Sequence, residues 1–397
     1  MLAAMIATGM MLLMVVLIYF ARNGAIVTNT KALNKLWGQA ILAEYDVNLN
    51  KDYGLLAYKG NDAEVQSKLT LYAGHTLSNA KGIDWQVENV NISSYSLINL
   101  DMFKKQLVKA AKFQLADDVK GVVIPGVEHD KKEADQGEET ISSGEYEVLP
   151  SGGADTGISF SKLRELAGNV RDIKNIQYMV KEGSDKFFTC RYALHKFGTY
   201  LEPRSDKDAY LRNEQEYLIC GKTSDKKNRK AVRNRIIAFQ EVINLAYLHQ
   251  HPEKTAAIDG LVGTLIPPPM SAATREALIA AWAFAESVND YRLLINGKKV
   301  PLMKTEATWA TDVTTAVTGL MHGYIDNNAE EGNTYGDYLK YMVYLLDEET
   351  INFRMMDLIQ LSMRQKHYPS FLIRDFNGGV SFTIDVSGKD VPYEKVY

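Results

Sequence analysis

Residues 1–21, MLAAMIATGMMLLMVVLIYFA, carry no charged side chain. As a helix rising about 1.5 Å per residue, this run is about 30 Å long, the thickness of a bilayer's hydrocarbon core. A cleaved signal peptide has a basic n-region, a shorter apolar core and a small-residue cleavage site. None of these is present, so the run reads as a retained transmembrane anchor over residues 1–22. Leu2, Met5, Met11, Leu12, Val15, Leu17 and Phe20 face lipid in this reading. The small residues Ala3, Ala4, Ala7 and Gly9 permit close helix packing. No other stretch is comparably long and apolar, so the chain reads as single-pass.

Orientation is ambiguous from charge. Arg22, Lys31 and Lys35 follow the anchor, and by the positive-inside rule they hold the remainder in the cytoplasm. A basic segment ahead of residue 1 would reverse that.

Helical spacing continues past the anchor through Leu33, Leu36, Trp37, Ala40, Ile41 and Tyr45. The spacing predicts one helix to about residue 46, apolar all round and then amphipathic. The second half should lie against a folded domain. Residues 53–58, YGLLAY, read as a strand, and 59–62 as a turn. A helix is expected over 63–78. Residues 85–96 read as a strand whose alternation changes phase between Val87 and Val90, as a bulge would cause. Another helix follows Asp101. Together, residues 23–125 form a small α+β unit.

Residues 126–158 read as an acidic, flexible linker. Within 127–157 there are nine Asp or Glu against two Lys, with little to bury. Residues 159–366 are mainly helical, with faces at Val232–Ile236–Phe239–Ile243–Ala246 and Leu278–Trp282–Ala285–Val288. Two further faces are Tyr338–Met342–Leu345 and Ile351–Met355–Leu358–Ile359–Ser362, with Thr350 as an N-cap. Residues 367–397 hold a β-hairpin candidate. Asn377-Gly378 supplies its turn, and Val380, Phe382, Ile384 and Val386 alternate strictly. These strands should return to the sheet begun near residue 53, making the helical region an insertion. The fold class is therefore α+β and helix-rich: a long N-terminal spine helix on a small antiparallel sheet, with a large helical insertion.

Chemistry is sparse. A net charge of −4 gives no field that would recruit nucleic acid. His249 and His251, at i, i+2, do not share a helix face and lack a completing ligand. No metal, phosphate-loop or dinucleotide motif is present, and no cofactor is expected. Glu214 and Glu216 diverge on a helix, and no third group completes an acid–base site. The chain is expected not to be an enzyme. Residues 221–235 carry seven Lys or Arg against Asp225. Lys226, Arg229, Lys230 and Arg233 line one stripe, which as a solvated face is unremarked and as a binding face would hold a polyanion. Cys190 and Cys220 could form a disulfide or stay as two buried thiols.

The residues AILAEYDVNLNKDYGLLAY (40–58) resemble the TadE-like family of membrane-anchored proteins, mostly of Gram-positive bacteria. Leu42, Ala43, Glu44, Tyr45, Asp46, Leu49, Tyr53, Gly54 and Leu55 carry the signature. Residues 211–222, 228–248, 282–305 and 335–364 are similar in order. The resemblance implies a pilin-like part of a tight-adherence pilus or secretion system, with no activity to carry over. Glu44, Tyr45, Asp46, Tyr53 and Gly54 would be structural: Tyr45–Asp46 ends the spine helix and Tyr53-Gly54 starts the first strand. Implied partners are membrane lipid, other pilin-like subunits and an assembly platform, with the bulk of the chain extracytoplasmic. Position 5 is Met, where cleaved prepilins carry Glu, which bears on filament assembly. The alternative is an anchored surface module that binds a cell-wall polyanion or host ligand through the basic stripe.

Overall fold

The computed structural model describes residues 2–77, 83–119, 139–152, 158–168, 183–205, 208–265, 270–318 and 323–397. The chain divides into two compact units, Met1–Ala110 with Ser370–Tyr397, and Ala111–Pro369. The architecture is α+β and helix-rich.

In the first unit, α1 (Leu2–Leu42) is one unbroken helix. Its second half packs on β4 (Gly379–Val386) and β5 (Asp390–Val396) through Trp37, Ile41 and Leu42. Thr30 and Asn34 extend this buried stripe, and the Asn34 amide donates to the Val391 carbonyl at 2.8 Å. The buried positions 30, 34, 37 and 41 follow a helical repeat. Leu36 and Ala40, expected on this face, are exposed instead. Gly38 admits the Tyr393 ring, because any Cβ there would overlap it.

The signature following α1 is a second, short helix rather than a strand. Asp46 N-caps α2 (Val47–Tyr53), its Oδ1 accepting from the Leu49 N–H at 2.7 Å. Gly54 ends it with a left-handed backbone, φ 69°. Leu49, Tyr53 and Leu55 are buried. The expected strand over 53–58 reduces to β1 (Tyr58–Lys59). Likewise α1 stops at Leu42, ahead of Tyr45–Asp46, and Asp46 opens an element rather than closing one.

After β1 come α3 (Asp62–Leu77) and β2 (Trp85–Asn91), then α4 (Leu100–Val119). Val65, Leu69, Phe103 and Leu107 point inward. The larger sheet is antiparallel, with order β2-β4-β5. Its register pairs Val87 with Ile384 and Ile384 with Val391. The register shifts between Glu88 and Asn91, at Asn89 with φ 51°, which is the bulge expected from the phase change. β1 pairs with β3 (Phe376–Asn377) in a separate two-stranded ladder.

The C-terminal hairpin is shifted from its expected place. Asn377-Gly378 separates two strands that join different sheets. The hairpin is β4–β5, turned at Ser387 and Gly388, both at positive φ. Val380, Phe382, Ile384 and Val386 are all buried, as their alternation predicts.

The second unit is helical. Its elements are α5 (Ser143–Glu147), α6 (Phe160–Gly168), α7 (Asp185–Lys196), α8 (Glu214–Cys220) and α9 (Asp225–Gln250). They continue with α10 (Pro252–Leu265), α11 (Met270–Ile295), α12 (Val313–Thr318), α13 (Tyr335–Leu345) and α14 (Glu348–Lys366). Every residue of α8 is buried, beneath α9, α13 and α14. Asp347, not Thr350, caps α14; Thr350 donates to it from the third helical position. On α9, Val232, Ile236, Phe239 and Ile243 are buried, whereas Ala246 is exposed and Leu248 takes its place.

Much of the expected linker, residues 126–138 and 153–157, lies outside the described residues. Residues 139–152 are mostly exposed but tied down at a few points. Ile141 and Leu149 are buried, the Ile141 N–H donates to the Thr223 carbonyl, and the Ser151 N–H donates to Asp357. A few apolar side chains and backbone donors thus anchor an otherwise acidic stretch.

Candidate functional site

The first candidate is the outer half of α1. Met5, Met11, Leu12, Val15, Leu17 and Phe20 are exposed, and the side chain of Leu2 lies outside the described residues. Among the described residues this is the one helix long and apolar enough to cross a membrane. An exposed apolar surface of this extent is costly in water, and its length and composition suggest a membrane anchor.

The signature residues take structural positions. Glu44 pairs with Lys68 at the surface. Tyr45 meets Tyr397 edge to face, with ring centroids 6.5 Å apart. Tyr53 is buried, and a Cβ on Gly54 would press within 3.1 Å of the Ala110 methyl.

The basic stripe is split by the fold. Lys226, Lys230 and Arg233 are exposed along α9. Arg229 is half-buried, its guanidinium 4.7 Å over the Tyr200 ring, and Arg233 lies 5.9 Å over Tyr291. His249 is exposed and His251 half-buried, and they turn to different carboxylates, Glu276 at 3.7 Å and Glu253 at 2.8 Å. Among the described residues no group of three or more His, Cys, Asp or Glu could hold a metal ion.

Cys190 and Cys220 are free thiols, fully buried on α7 and α8, so the disulfide alternative is corrected. Burial pushes Cys190 up to about 12 and Cys220 up to about 11.

Two buried polar constellations lie in the helical unit. The first surrounds α8. Glu214 accepts from the Gly198 N–H at 2.9 Å and from Arg204 Nε at 2.7 Å. Glu216 Oε1 accepts from the Tyr200 N–H at 2.9 Å and the Tyr335 hydroxyl at 2.8 Å, while its buried Oε2 has no partner. The two carboxylates diverge on the helix yet grip one loop, because residues 198 and 200 share their spacing. Burial pushes Glu216 up to about 7. Asp357 accepts from the Tyr217 hydroxyl at 2.8 Å and is pushed up to about 6 by burial. Arg354 donates to the Leu218 carbonyl at 2.8 Å, and any Cβ on Gly221 would collide with its guanidinium. Apart from Glu216 Oε2, the acceptors named here take donors from the chain itself, the arrangement of a scaffold.

The second constellation was not legible as a site. Lys304 Nζ sits 2.7 Å from Glu286 Oε1 and 2.5 Å from Asp290 Oδ1, and all three side chains have no exposure. Glu286 also accepts from the Ala310 N–H at 3.1 Å and from the Thr311 N–H and hydroxyl at 2.8 Å each. Asp290 Oδ2 accepts from the Asn244 amide at 3.1 Å. Burial pushes Asp290 up to about 6. Burial also pulls Lys304 down, and the two carboxylates more than reverse it, leaving the ammonium above its ordinary value. Beside the triad lie Ile279, Trp282 and Trp309. Residues 279, 282, 283, 286 and 290 fall on one helical stripe, so an apolar face that runs on into two acids was the available signal.

No curated protein and no solved structure matches this chain. One family match covers residues 104–388, from within α4 to the turn after β4, and leaves α1 outside it. The chain belongs to that family, described as a family of unknown function (DUF5702).

Proposed function

We propose that the chain is a non-enzymatic, single-pass, membrane-anchored structural protein with its bulk outside the cytoplasm. In this reading it is a pilin-like or accessory component of a tight-adherence-type pilus or secretion system, as the TadE-like resemblance implies. The observation that carries the reading is α1. One continuous helix is apolar and uncovered over its first half and buried on an antiparallel sheet over its second. Such a helix can pass from lipid into a folded domain without a joint, so the domain's position is fixed relative to the bilayer. The hydrogen bonds by which Glu214 and Glu216 hold the loop at residues 198 and 200 support a structural role for them.

Protease accessibility in intact protoplasts tests it. The expected result is a chain that resists alkaline extraction from membranes and is digested from outside, leaving an α1-sized fragment. Digestion only after lysis would overturn the extracytoplasmic placement, and release by alkali would overturn the anchor.

A further inference from the structure

We propose that Lys304 and Asp290 condense into an internal amide, a covalent cross-link tying α11 to the segment that follows it. The amine and the carboxyl are already in contact, at 2.5 Å, and are held there by the fold. Preset contact of this kind replaces a bimolecular encounter with an intramolecular one. In water, hydration of the ammonium and carboxylate opposes condensation. Here all three charged side chains are sealed from solvent, so that opposing term is gone. Condensation also removes one buried positive and one buried negative charge together.

The neighbours divide the work. A proton moves from Nζ to Asp290 Oδ1 along their contact, giving a neutral amine and a neutral acid. Nζ then attacks Asp290 Cγ. Charge gathers on Oδ2, which already accepts from the Asn244 amide at 3.1 Å. Glu286 Oε1, 2.7 Å from Nζ, takes the second proton and passes it to the departing Oδ1 hydroxyl. One C–N bond forms, one C–O bond breaks and one water leaves. Glu286 ends as it began, and no oxidant or co-reactant is required. The Ala310 and Thr311 donors hold both Glu286 oxygens, which keeps it a proton carrier. Asp290, held by fewer donors, is the acyl partner.

A tryptic map of the full, reduced and denatured chain tests this. The expected product is a branched peptide one water lighter than its parts. It joins residues 276–292 through Asp290 to the peptide carrying Lys304, with no cleavage after Lys304. Lys304→Arg keeps the charge and should return both peptides in linear form. Glu286→Gln should lower the branched product about 100-fold at equal times. Fragmentation of the branch decides the acyl partner, and a junction at Glu286 would overturn the assignment. Linear peptides of full mass from the wild-type chain, cleaved after Lys304, would overturn the proposal whatever the variants do.

Discussion

Gly38→Ala should loosen the grip of α1 on its sheet, and the reason can be isolated. Alanine in a helix interior is favoured over glycine by about 1 kcal/mol. Against that, the new Cβ would lie within 2.8 Å of the Tyr393 hydroxyl oxygen and overlap the ring itself. Overpacking of this kind costs about 1–3 kcal/mol. The net loss is then about 0–2 kcal/mol, because Tyr393 can swing aside only by leaving Phe382, whose ring centroid lies 5.1 Å away. Tyr393→Ala removes the obstacle at its own cost. In that background Gly38→Ala should stabilise by about 1 kcal/mol, which gives a coupling of about 1–3 kcal/mol between the two sites. Hydrogen exchange of the β5 amides in the detergent-solubilised chain measures it. Each 1.4 kcal/mol is about tenfold in the opening equilibrium, so Gly38→Ala should speed exchange in the wild-type chain and slow it in the Tyr393→Ala background. The same sign and size of effect in both backgrounds would refute the steric reasoning.

Glu216 makes stability fall as pH rises. Its carboxyl lies at about 7 in the folded chain against an ordinary 4.5, so the native state holds more protons between these values. Stability is therefore fully present below about 4.5 and is lost as pH rises through about 7. Glu216→Gln keeps the acceptor for Tyr200 and Tyr335 and should be more stable than the wild type at pH 8 by about 2 kcal/mol, as urea titration would show. Cys190 and Cys220 should resist maleimide in the native chain and both label after denaturation, with or without reductant.

Sequence pattern carried the elements whose physics is local. The charge-free run of α1 and the alternation of Val380, Phe382, Ile384 and Val386 both map directly onto structure. The bulge in β2 was legible because one extra residue reverses which side chains face inward. Errors arose where two local signals competed. Tyr53 to Tyr58 is apolar and aromatic like a strand, yet Asp46 and Gly54 are the two caps of a helix of seven residues, and the caps won. Asn377-Gly378 carries a hairpin signal, but β4 has its partner on the other side, across Ser387-Gly388. The burial of Glu286, Asp290 and Lys304 was beyond local pattern. Charged residues at helical spacing read as a solvated face unless the packing of Trp282 and Trp309 around them is known. Glu214 and Glu216 diverge on their helix, as their spacing requires. Their shared partner is a loop whose position only the tertiary fold sets.

The first unit is written at both ends of the sequence. Its central strand, β4, and the strand that covers α1, β5, leave the ribosome after the whole helical unit. During synthesis α1 precedes that unit, and Trp37 and Ile41 have no β4 or β5 to rest on until residues 379–396 emerge. The helical unit, contiguous over residues 111–369, can mature in that interval. A nascent chain arrested between residues 369 and 379 would therefore carry the whole insertion and an unfinished first unit. Until β4 and β5 follow, the face of α1 bearing Trp37 and Ile41 stays bare.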